Sequence, residues 1–303
     1  MVSQGRHDHP GPGQASSPPT ATGFDEAFAA IAASPGIRRV WRTVDPALPP
    51  EIEPFSFVSG GLLRHVAQAL ALSPGQTLVD LGCGRGGPGL WLAQSQGASL
   101  IGVDFSAVAV QQANERAALF GLADTACFVM ADLAATGLPD AIADAVVSVD
   151  ALHFAADLAA AAHEVAHVLR PAHRLVLTNW QPRTHDDSRL PSRMRVDWVA
   201  ALRSVGFADV QVESRPEWHD LFTRVYRTAL DLGHPGDDVG LAALQDEARR
   251  HLPIAELVDR VVVTAIRPDS AVAAQVAGEL EPQVGPGTVF VGLGLVRRQE
   301  LGE

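Results

Sequence analysis

Alternating apolar and polar stretches between residues 77 and 180 predict a series of strands and helices. Apolar runs of strand length cover residues 77–81, 99–103, 126–130, 144–149 and 174–179. Helical periodicity covers the intervening residues 87–96, 106–120 and 157–169. Strands that alternate with helices build a mostly parallel sheet with helices on both faces. The pattern therefore predicts a doubly wound α/β domain, in which ligands bind outside the carboxyl ends of the strands.

The most informative segment joins the first strand to the first of these helices. Its sequence from residue 77 to residue 88 is TLVDLGCGRGGP: an apolar run, an acid, a glycine-rich turn and a proline. Glycines allow positive φ angles and let the backbone approach a ligand closely. The proline suits the first turn of a helix, where its missing N–H costs nothing. The segment predicts a cofactor-binding loop, with contacts expected from Gly82, Cys83, Gly84 and Gly86.

The glycine loop alone is compatible with two kinds of cofactor. Gly82, Gly84 and Gly87 fit the G-x-G-x-x-G pattern of dinucleotide-binding loops, which cradle a pyrophosphate. Asp80 stands two residues before the first glycine, where its carboxylate would lie near those phosphates. A carboxylate at that position suits a cationic ligand that carries an ammonium or sulfonium group. The loop therefore favours a cationic cofactor, with a nicotinamide-dependent oxidoreductase as the alternative.

Further acids follow at the ends of the next three strands. Asp104 lies about twenty residues beyond the loop, the spacing expected of an acid that binds ribose hydroxyls. Asp132 and Asp150 end the third and fourth strands. An aspartate at a strand end is also a common turn residue or N-cap, so both carry two interpretations. Acids at four successive strand ends nevertheless favour a ligand site at this edge of the sheet.

The pattern Asp80-x-Gly82-x-Gly84-x-Gly86 resembles the first motif of the class I S-adenosylmethionine-dependent methyltransferases. Residues 168–171 (VLRP) resemble the segment before the fifth strand of that class, although Ala172-His173 replaces its two usual glycines. The resemblance covers about residues 60–215 and is strongest to the ubiquinone-biosynthesis and natural-product enzymes. It implies a seven-stranded Rossmann-like sheet, S-adenosylmethionine as the cofactor, and methyl transfer to an O, N or C atom of a small organic metabolite.

The resemblance also assigns a contact to each part of the cofactor. Asp80 and residues Gly82 to Gly86 are expected to contact the methionine part, and Asp104 the ribose. Phe105 is expected on the face of the adenine, and Asp132 and Leu133 at its edge. Ser106 and Asp150 are expected as further contacts. Two alternatives from other classes stay open. One is the nicotinamide-dependent oxidoreductase, and the other is a fold relative that binds S-adenosylmethionine without transferring its methyl group.

The regions on either side of the α/β core are expected to complete the site. Residues 1–22 are rich in proline, glycine and small polar residues, which predicts a disordered tail. Helical patterns predict an N-terminal segment over residues 23–75 that covers the cofactor site, where Trp41, Phe55 and Phe57 either cover the cofactor or belong to the core. The α/β core is expected over residues 76–215 and a helical cap over 216–286, within which residues 261–266 are compatible with helix or strand. A closing antiparallel strand with a tail is expected over 287–303.

The transfer itself needs a base only if the acceptor is a hydroxyl or a carbon acid of high pKa. His153, three residues beyond Asp150, is the candidate for that base, with packing or positioning of the substrate as its other interpretation. Asn179 and Trp180, at the end of the fifth strand, are expected to line the acceptor pocket. His219 in the cap region is a further pocket candidate.

Residues 163–167 read HEVAH and match the H-E-x-x-H pattern of zinc metalloproteases. Two imidazoles at that spacing would share one helix face, as zinc requires. The segment lies on a flank of the sheet, however, and no convincing third ligand follows it. We therefore expect no metal site.

The composition and charge of the chain limit the kinds of molecule that it is expected to bind. The chain of 303 residues carries a net charge of −12, and all 23 of its basic residues are arginine. It shows no basic patch interleaved with aromatics, so a small-molecule acceptor is expected and a nucleic acid is not. The two cysteines suit neither a disulfide framework nor a zinc site. No apolar run is long enough for a membrane span, and no signal peptide is evident, so the expected location is the cytoplasm. The sequence leaves open whether the protein forms a homodimer.

Overall fold

The computed structural model describes residues 20–184, 187–191 and 194–269. Seven strands form one sheet in the order β3-β2-β1-β4-β5-β7-β6, and only β7 runs antiparallel to its neighbours. The strands are β1 Thr77–Leu81, β2 Ser99–Asp104, β3 Ala126–Met130, β4 Ala143–Val149, β5 Leu169–Pro182, β6 Ala208–Ser214 and β7 Val258–Ile266. This mostly parallel sheet confirms the predicted fold class.

Helices cover the sheet and one of its ends. They are α1 Ala21–Ala33, α2 Pro35–Val44, α3 Gly60–Leu70, α4 Gly87–Gln96, α5 Ala107–Ala117, α6 Leu158–Val168, α7 Trp198–Ser204, α8 Pro216–Asp231 and α9 Val239–His251. Short 3-10 helices span Pro50–Ile52, Ala118–Phe120, Leu152–Phe154 and Leu252–Leu257.

Two apolar cores sandwich the sheet. Successive strand residues point to opposite faces, so Val147 of β4 joins the core beneath α3 and α4, and Val146 joins the core beneath α6 and α7. Every residue of β4 is buried, because this central strand has helices on both of its faces. In the strand order, β1 lies between β2 and β4. The strands β2 and β3 are therefore on one side of β1, and the later strands are on its other side. A crevice forms at this switch point in the strand order, outside the carboxyl ends of the strands.

The N-terminal and C-terminal helices pack together as one cap. Ile37, Val40 and Trp41 of α2 share a third apolar core with residues of α8 and α9. The side chain of Asp238, which caps the N-terminus of α9, also accepts a hydrogen bond from the Gly36 N–H at 2.8 Å. Helices that precede the α/β core in the chain and helices that follow β6 therefore form one cap.

The closing strand lies elsewhere than the sequence pattern indicated. The antiparallel strand that completes the sheet is β7, which pairs with β5 from Arg174↔Ile266 to Pro182↔Val258. The helical cap therefore ends before Val258, so the predicted cap boundary at residue 286 is wrong, and residues 261–266, which the pattern left open between helix and strand, are strand. The physical reason is that this β-branched run gains its hydrogen bonds from two distant strands. The predicted closing segment 287–303 lies outside the described residues.

Two smaller differences concern element ends. Helix α1 begins at Ala21, with the Thr20 hydroxyl accepting from the Gly23 N–H, so residues 21–22 belong to a helix and not to a tail. Residues 1–19 lie outside the described part of the chain. Strand β5 follows α6 directly and begins at Leu169, ahead of the predicted strand 174–179, so Ala172-His173 lies within the strand. A bulge against β4, with Ala172 at φ 62°, lies at that point.

Candidate active site

The glycine loop lies where β1 ends and α4 begins, and its backbone requires glycine. Gly82 and Gly84 have φ angles of 76° and 51°, in the left-handed region. A Cβ atom on Gly82 would come within 2.2 Å of the Ala151 Cβ. The loop is therefore packed directly against the residue that follows Asp150 at the end of the neighbouring strand.

A buried arginine holds the N-terminal segment onto the back of this loop. Arg116 of α5 donates to the carbonyl oxygens of Arg85 in the loop and of Glu51 and Ile52 in the N-terminal segment. Burial, together with the charge of Arg85, lowers the pKa of Arg116 to about 10. The contact is so close that a Cβ on Gly87 would lie 2.0 Å from the Ile52 carbonyl oxygen.

Asp80 is the least satisfied polar group at the site. Its side chain is 2% exposed, and its Oδ1 atom has no hydrogen-bond partner. Burial, and next the charge of Asp104, raise the pKa of Asp80 to about 7. A Cβ on Gly89 would lie 2.3 Å from the Asp80 Oδ2, so the carboxylate faces the first turn of α4. A cation fits this position, because it would pair with a buried acid that the protein itself leaves unpaired.

Asp104 stands beside it with its carboxylate already oriented. Its Oδ2 accepts from the Gly84 N–H at 2.8 Å, and its Oδ1 accepts from the Ser106 N–H at 3.0 Å. Burial is the largest influence on this acid and raises its pKa. Each carboxylate oxygen has a second lone pair, so Asp104 can also accept from two adjacent ligand hydroxyls.

The two acids lie in one cavity of about 740 Å³, a volume that includes its open mouth. Of the predicted cofactor contacts, its lining contains Asp80, Gly82, Cys83, Gly84, Asp104, Phe105, Leu133 and Asp150. Burial raises the pKa of the Cys83 thiol, which is thereby kept neutral at ordinary pH. The remaining predicted contacts, Gly86, Ser106 and Asp132, do not line this cavity.

Each of those three residues has a local structural role. Gly86 is the N-cap of α4, at φ 77°. The Ser106 hydroxyl caps α5, where it accepts from the Ala109 N–H, and it donates to the Asp25 carboxylate of α1. Asp132 is exposed, and its carboxylate accepts from the Ala134 N–H at 2.7 Å. Asp132 thus follows the turn-residue interpretation in this structure.

An aromatic roof covers the cavity, and of its four rings the sequence analysis named only Phe55. Phe24 and Phe28 of α1 lie with Phe55 and Phe154 around the cavity, and their ring centroids are 4.4 to 6.0 Å apart where they contact. The signal available was the aromatic content of the N-terminal segment. Such a roof excludes water from the bound ligand.

Asp150 lines the cavity with its charge already paired. Arg260 of β7, which is fully buried, donates two hydrogen bonds to the Asp150 carboxylate at 2.7 and 2.9 Å. The Thr178 hydroxyl donates a third at 2.8 Å, and Arg260 also stacks 4.4 Å from the centre of the Trp180 ring. Nothing adjacent in sequence to Asp150 pointed to Arg260, which lies 110 positions further along the chain.

Two further cavities continue from the first toward the cap. The larger, of about 1040 Å³, shares Phe55, Ser56, Asp150 and Phe154 with the cofactor-side cavity. The smaller, of about 490 Å³, joins the larger through residues that line both, namely Phe57, His153, Phe154, Trp180 and Glu247. Together they form a mostly apolar chamber with several aromatic walls, which we call the acceptor chamber.

The predicted pocket residues divide between this chamber and the protein interior. His153 and Trp180 line the acceptor chamber. Asn179 is buried behind them and donates from its amide to His153 Nδ1 at 3.1 Å. His219 of α8 is also buried, lines none of these three cavities, and has no hydrogen-bond partner at either ring nitrogen.

The H-E-x-x-H segment lies on α6, away from the crevice. His167 bonds through Nε2 to the Leu138 carbonyl at 3.2 Å, and its Nδ1 lies 3.4 Å from the Asp140 carboxylate. Glu164 accepts from the backbone and hydroxyl of Thr136. Within the described ranges, no three His, Cys, Asp or Glu side chains are grouped so as to hold a metal ion. Nor does any helix there have the length and apolarity to span a membrane.

Comparison with known proteins agrees with this geometry. Residues 79–177 match the family model described as a methyltransferase domain. The 27-O-demethylrifamycin SV methyltransferase of Amycolatopsis mediterranei is 34% identical over 38% of this chain and 43% of its own length. The matches to the first curated relatives span less than half of those proteins.

Solved structures resemble this protein in fold over a longer part of the chain than residues 79–177. The structure of the (4+2)-cyclase SpnF aligns with a TM-score of 0.65 at 22% identity, over 82% of this chain and 97% of that chain. The structure of a methyltransferase from Geobacter sulfurreducens in complex with S-adenosylhomocysteine aligns with a TM-score of 0.55 at 21% identity. The alignment covers 76% of this chain and 98% of that chain. Residues 79–177 therefore form a methyltransferase domain of the class I S-adenosylmethionine-dependent type, and S-adenosylmethionine is the cofactor of that class.

Proposed function

We propose that this protein transfers a methyl group from S-adenosylmethionine to a small organic acceptor, at an O, N or C atom. The observation that carries the proposal is the buried, unpartnered Asp80 carboxylate beside Asp104 at the ends of adjacent strands. When bound, the cofactor supplies a methyl group on a sulfonium, whose transfer leaves S-adenosylhomocysteine. Its positive charge and its ribose hydroxyls match the two acids, whereas a pyrophosphate would meet two carboxylates.

The protein's own part in the reaction is binding, alignment and exclusion of water. Asp80 would pair with the cationic part of the cofactor, Asp104 would accept from the ribose hydroxyls, and Phe105 and Leu133 would contact the adenine. The aromatic roof closes the cavity on the solvent side. Asp150, fixed by Arg260, forms part of the wall that the cofactor cavity and the acceptor chamber share.

The acceptor we propose is a bulky and mostly apolar small molecule. The larger cavity of the acceptor chamber has a volume of about 1040 Å³, which includes its open mouth, and it continues into the smaller cavity. Its walls include the aromatic side chains of Trp41, Phe57, Phe154 and Trp180. A net charge of −12 disfavours a nucleic-acid substrate. The relative from Amycolatopsis mediterranei, by its name, methylates 27-O-demethylrifamycin SV.

Binding and turnover test the proposal separately. Calorimetry should show binding of S-adenosylmethionine and S-adenosylhomocysteine but not of NAD. The Asp104→Asn variant should bind about 10- to 100-fold more weakly, because it loses a charged acceptor of hydrogen bonds. The exposed Asp124→Asn variant is the matched control and should bind like the wild type. Unchanged affinity in Asp104→Asn would contradict the site assignment.

Turnover is then measured as S-adenosylhomocysteine release across a panel of hydroxylated aromatic, macrocyclic and amine acceptors. Release with any acceptor supports methyl transfer. Tight cofactor binding without turnover over the whole panel would instead favour a protein that uses the cofactor without transferring its methyl group. The structural neighbour SpnF, a cyclase by its name, makes that outcome an alternative for this fold.

A further inference from the structure

A further cavity is lined mainly by α2 and by the segment of residues 45–54 that follows it. Its volume is about 810 Å³, which includes its open mouth. The apolar part of its lining includes Ile37 and Trp41 of α2 and four prolines of the segment. The charged part consists of Arg38, Arg42, Arg85, Asp45 and Glu53. Arginines therefore outnumber acids here, although the whole chain carries a net charge of −12, and we call this cavity the arginine pocket.

Two exposed arginines of this pocket have donors to offer a ligand. Arg38 and Arg42, the arginine pair, lie one turn apart on α2, so their side chains share one face of the helix. Arg38 donates from Nη1 to the Ala32 carbonyl at 2.9 Å, and Arg42 donates from Nε to the Arg38 carbonyl at 3.3 Å. Neither guanidinium forms an ion pair with a carboxylate in the part of the chain that the structure describes. A guanidinium has five N–H donors, so each keeps four for solvent or for a ligand.

The acids around the arginine pair have other partners. Glu53 lines the pocket but pairs with Arg85 at 2.7 Å. Asp45 also lines the pocket, and its carboxylate accepts from a backbone N–H at 3.0 Å. Asp238, at the start of α9, interacts electrostatically with Arg38, but its two oxygens bond to backbone N–H groups. The arginine pair therefore keeps positive charge that an anionic ligand can neutralise.

The proline-rich wall of the pocket is fixed before any ligand binds. The prolines at positions 46, 49, 50 and 54 restrict the backbone of this wall. Arg116 of α5 donates to the carbonyl oxygens of Glu51 and Ile52, and Glu53 is held by Arg85. Both of these arginines are buried. A ligand that enters the pocket therefore loses little of its binding energy to the ordering of this wall.

The arginine pocket borders both of the sites proposed for the reaction. Glu53 and Arg85 line both the pocket and the cofactor-side cavity. Four apolar residues line both the pocket and the larger cavity of the acceptor chamber, namely Ile31, Ile37, Trp41 and Pro54. A molecule that lies across these four residues would have one end at the arginine pair and the other end in the acceptor chamber. An apolar surface that ends at two cations matches an amphipathic anion.

We propose that the arginine pocket binds an acidic group of the acceptor, while the apolar body of the acceptor extends into the acceptor chamber. This inference rests on the proposed methyl transfer and adds a negative charge to the mostly apolar acceptor. The acidic group is an oxyanion such as a carboxylate or a sulfonate, because a guanidinium presents paired N–H donors that match two oxygens of one group. Arg38 and Arg42 are the residues that select for this group.

The test compares two fluorescent probes that share one aromatic body. The first, 1-anilinonaphthalene-8-sulfonate, carries a sulfonate, and the second, N-phenyl-1-naphthylamine, is neutral; both brighten in apolar sites. Both are titrated into protein loaded with S-adenosylhomocysteine, which fills the cofactor-side cavity. We expect Arg38→Gln and Arg42→Gln each to weaken binding of the sulfonate by about 3- to 10-fold, because each removes a charged donor. The affinity for the neutral amine should stay within about 2-fold of the wild type, since the amine makes no ion pair.

Arg39→Gln is the matched control. Arg39 is exposed on the same helix and lines none of the cavities described above, so its variant makes an equal change of charge outside the pocket. It should bind both probes like the wild type. An equal loss of sulfonate affinity in Arg39→Gln would reduce the effect to the general charge of the surface and would overturn the proposal.

Two other results would also overturn it. The sulfonate could keep its affinity in both Arg38→Gln and Arg42→Gln, or lose it in Arg250→Gln instead, which would place the acidic group at an arginine that lines the chamber itself. The second result concerns the apolar body. Ala243 is exposed and lines the chamber but not the pocket, so Ala243→Trp should weaken both probes. Full affinity of both probes in that variant would mean that the apolar body lies outside the chamber.

Salt dependence supplies a second measurement. Because the arginine pair is exposed, raising the ionic strength from about 0.1 M to about 1 M should weaken the sulfonate more than the amine. This difference should disappear in the double variant Arg38→Gln/Arg42→Gln, and a difference that persists there would refute the assignment. All of these readings are equilibrium binding and need no turnover. Failure of the proposed methyl transfer would instead appear as absence of S-adenosylhomocysteine release, with these affinities unchanged.

Discussion

Replacing Asp80 by asparagine should raise the stability of the cofactor-free protein and weaken cofactor binding. The folded-state pKa of Asp80 is about 7, against an unfolded value near 3.9. The folded protein therefore holds a proton that the unfolded chain releases as the pH rises above about 4. This contribution to stability is complete below that pH and is lost as the pH rises through about 7.

The magnitude follows from the same values. A difference of about 3 pKa units corresponds to up to about 4 kcal/mol of lost stability once Asp80 is fully ionised. Between pH 5 and pH 8 the wild type should lose up to about 3 kcal/mol more than Asp80→Asn, because the amide never ionises. Cofactor binding should weaken by about 10- to 150-fold, since a charge-assisted hydrogen bond contributes about 1.5–3 kcal/mol.

Urea unfolding at pH 5 and pH 8 measures the first effect, and calorimetry with S-adenosylhomocysteine measures the second. Asp124→Asn makes the same chemical change at an exposed position and should leave both quantities near the wild-type values. The comparison between variants cancels the titration of the eleven histidines. If Asp80→Asn lost stability as well as affinity, or tracked the wild type with pH, Asp80 would be a structural acid and not the partner of a cation.

Three further predictions concern the loop, the ion pair and the metal. Gly82→Ala should abolish cofactor binding in calorimetry, whereas Gly121→Ala, at a positive φ with no atom within 4 Å, should cost only about 1–2 kcal/mol in thermal unfolding. Arg260→Met should lower the urea unfolding free energy by about 3–5 kcal/mol, and adding Asp150→Asn should recover much of that loss, because the first change leaves a buried charge unpaired. The H-E-x-x-H segment at 163–167 should bind no stoichiometric zinc, as measured by atomic absorption, and a chelator should leave cofactor affinity unchanged.

The α/β core was predictable because its signals are local. The apolar run of β1, the glycines and Pro88 mark the start of α4, and Gly97 at φ 65° ends that helix where the pattern placed its end. The spacing between the loop and Asp104 likewise depends on one strand–helix–strand unit. Signals within about thirty residues of chain were sufficient for these features.

Features that depend on distant pairing were not predictable in this way. The run Val258–Ile266 is compatible with helix or strand until its two partners, β5 and β6, are known. The same holds for the roof, because Phe24 and Phe55 contact Phe28 and Phe154 only once the N-terminal segment packs against the crevice. Contacts between segments that are far apart in the chain, and not local composition, decided both the strand at 258–266 and the aromatic roof.

The strand-end acids show why identical sequence signals have different outcomes. Asp132 follows an edge strand, where the next backbone N–H groups are free to bond with it, and it closes a turn. Asp150 follows an interior strand, and Arg260 reaches it from the antiparallel neighbour of β5. Asp80 precedes a loop whose one basic side chain, Arg85, bonds to Glu53 and Gln112 instead, and one Asp80 oxygen has no hydrogen-bond partner in the fold. Because the nearest cation of the loop is held by other partners, this buried acid is left for a bound cation to pair with.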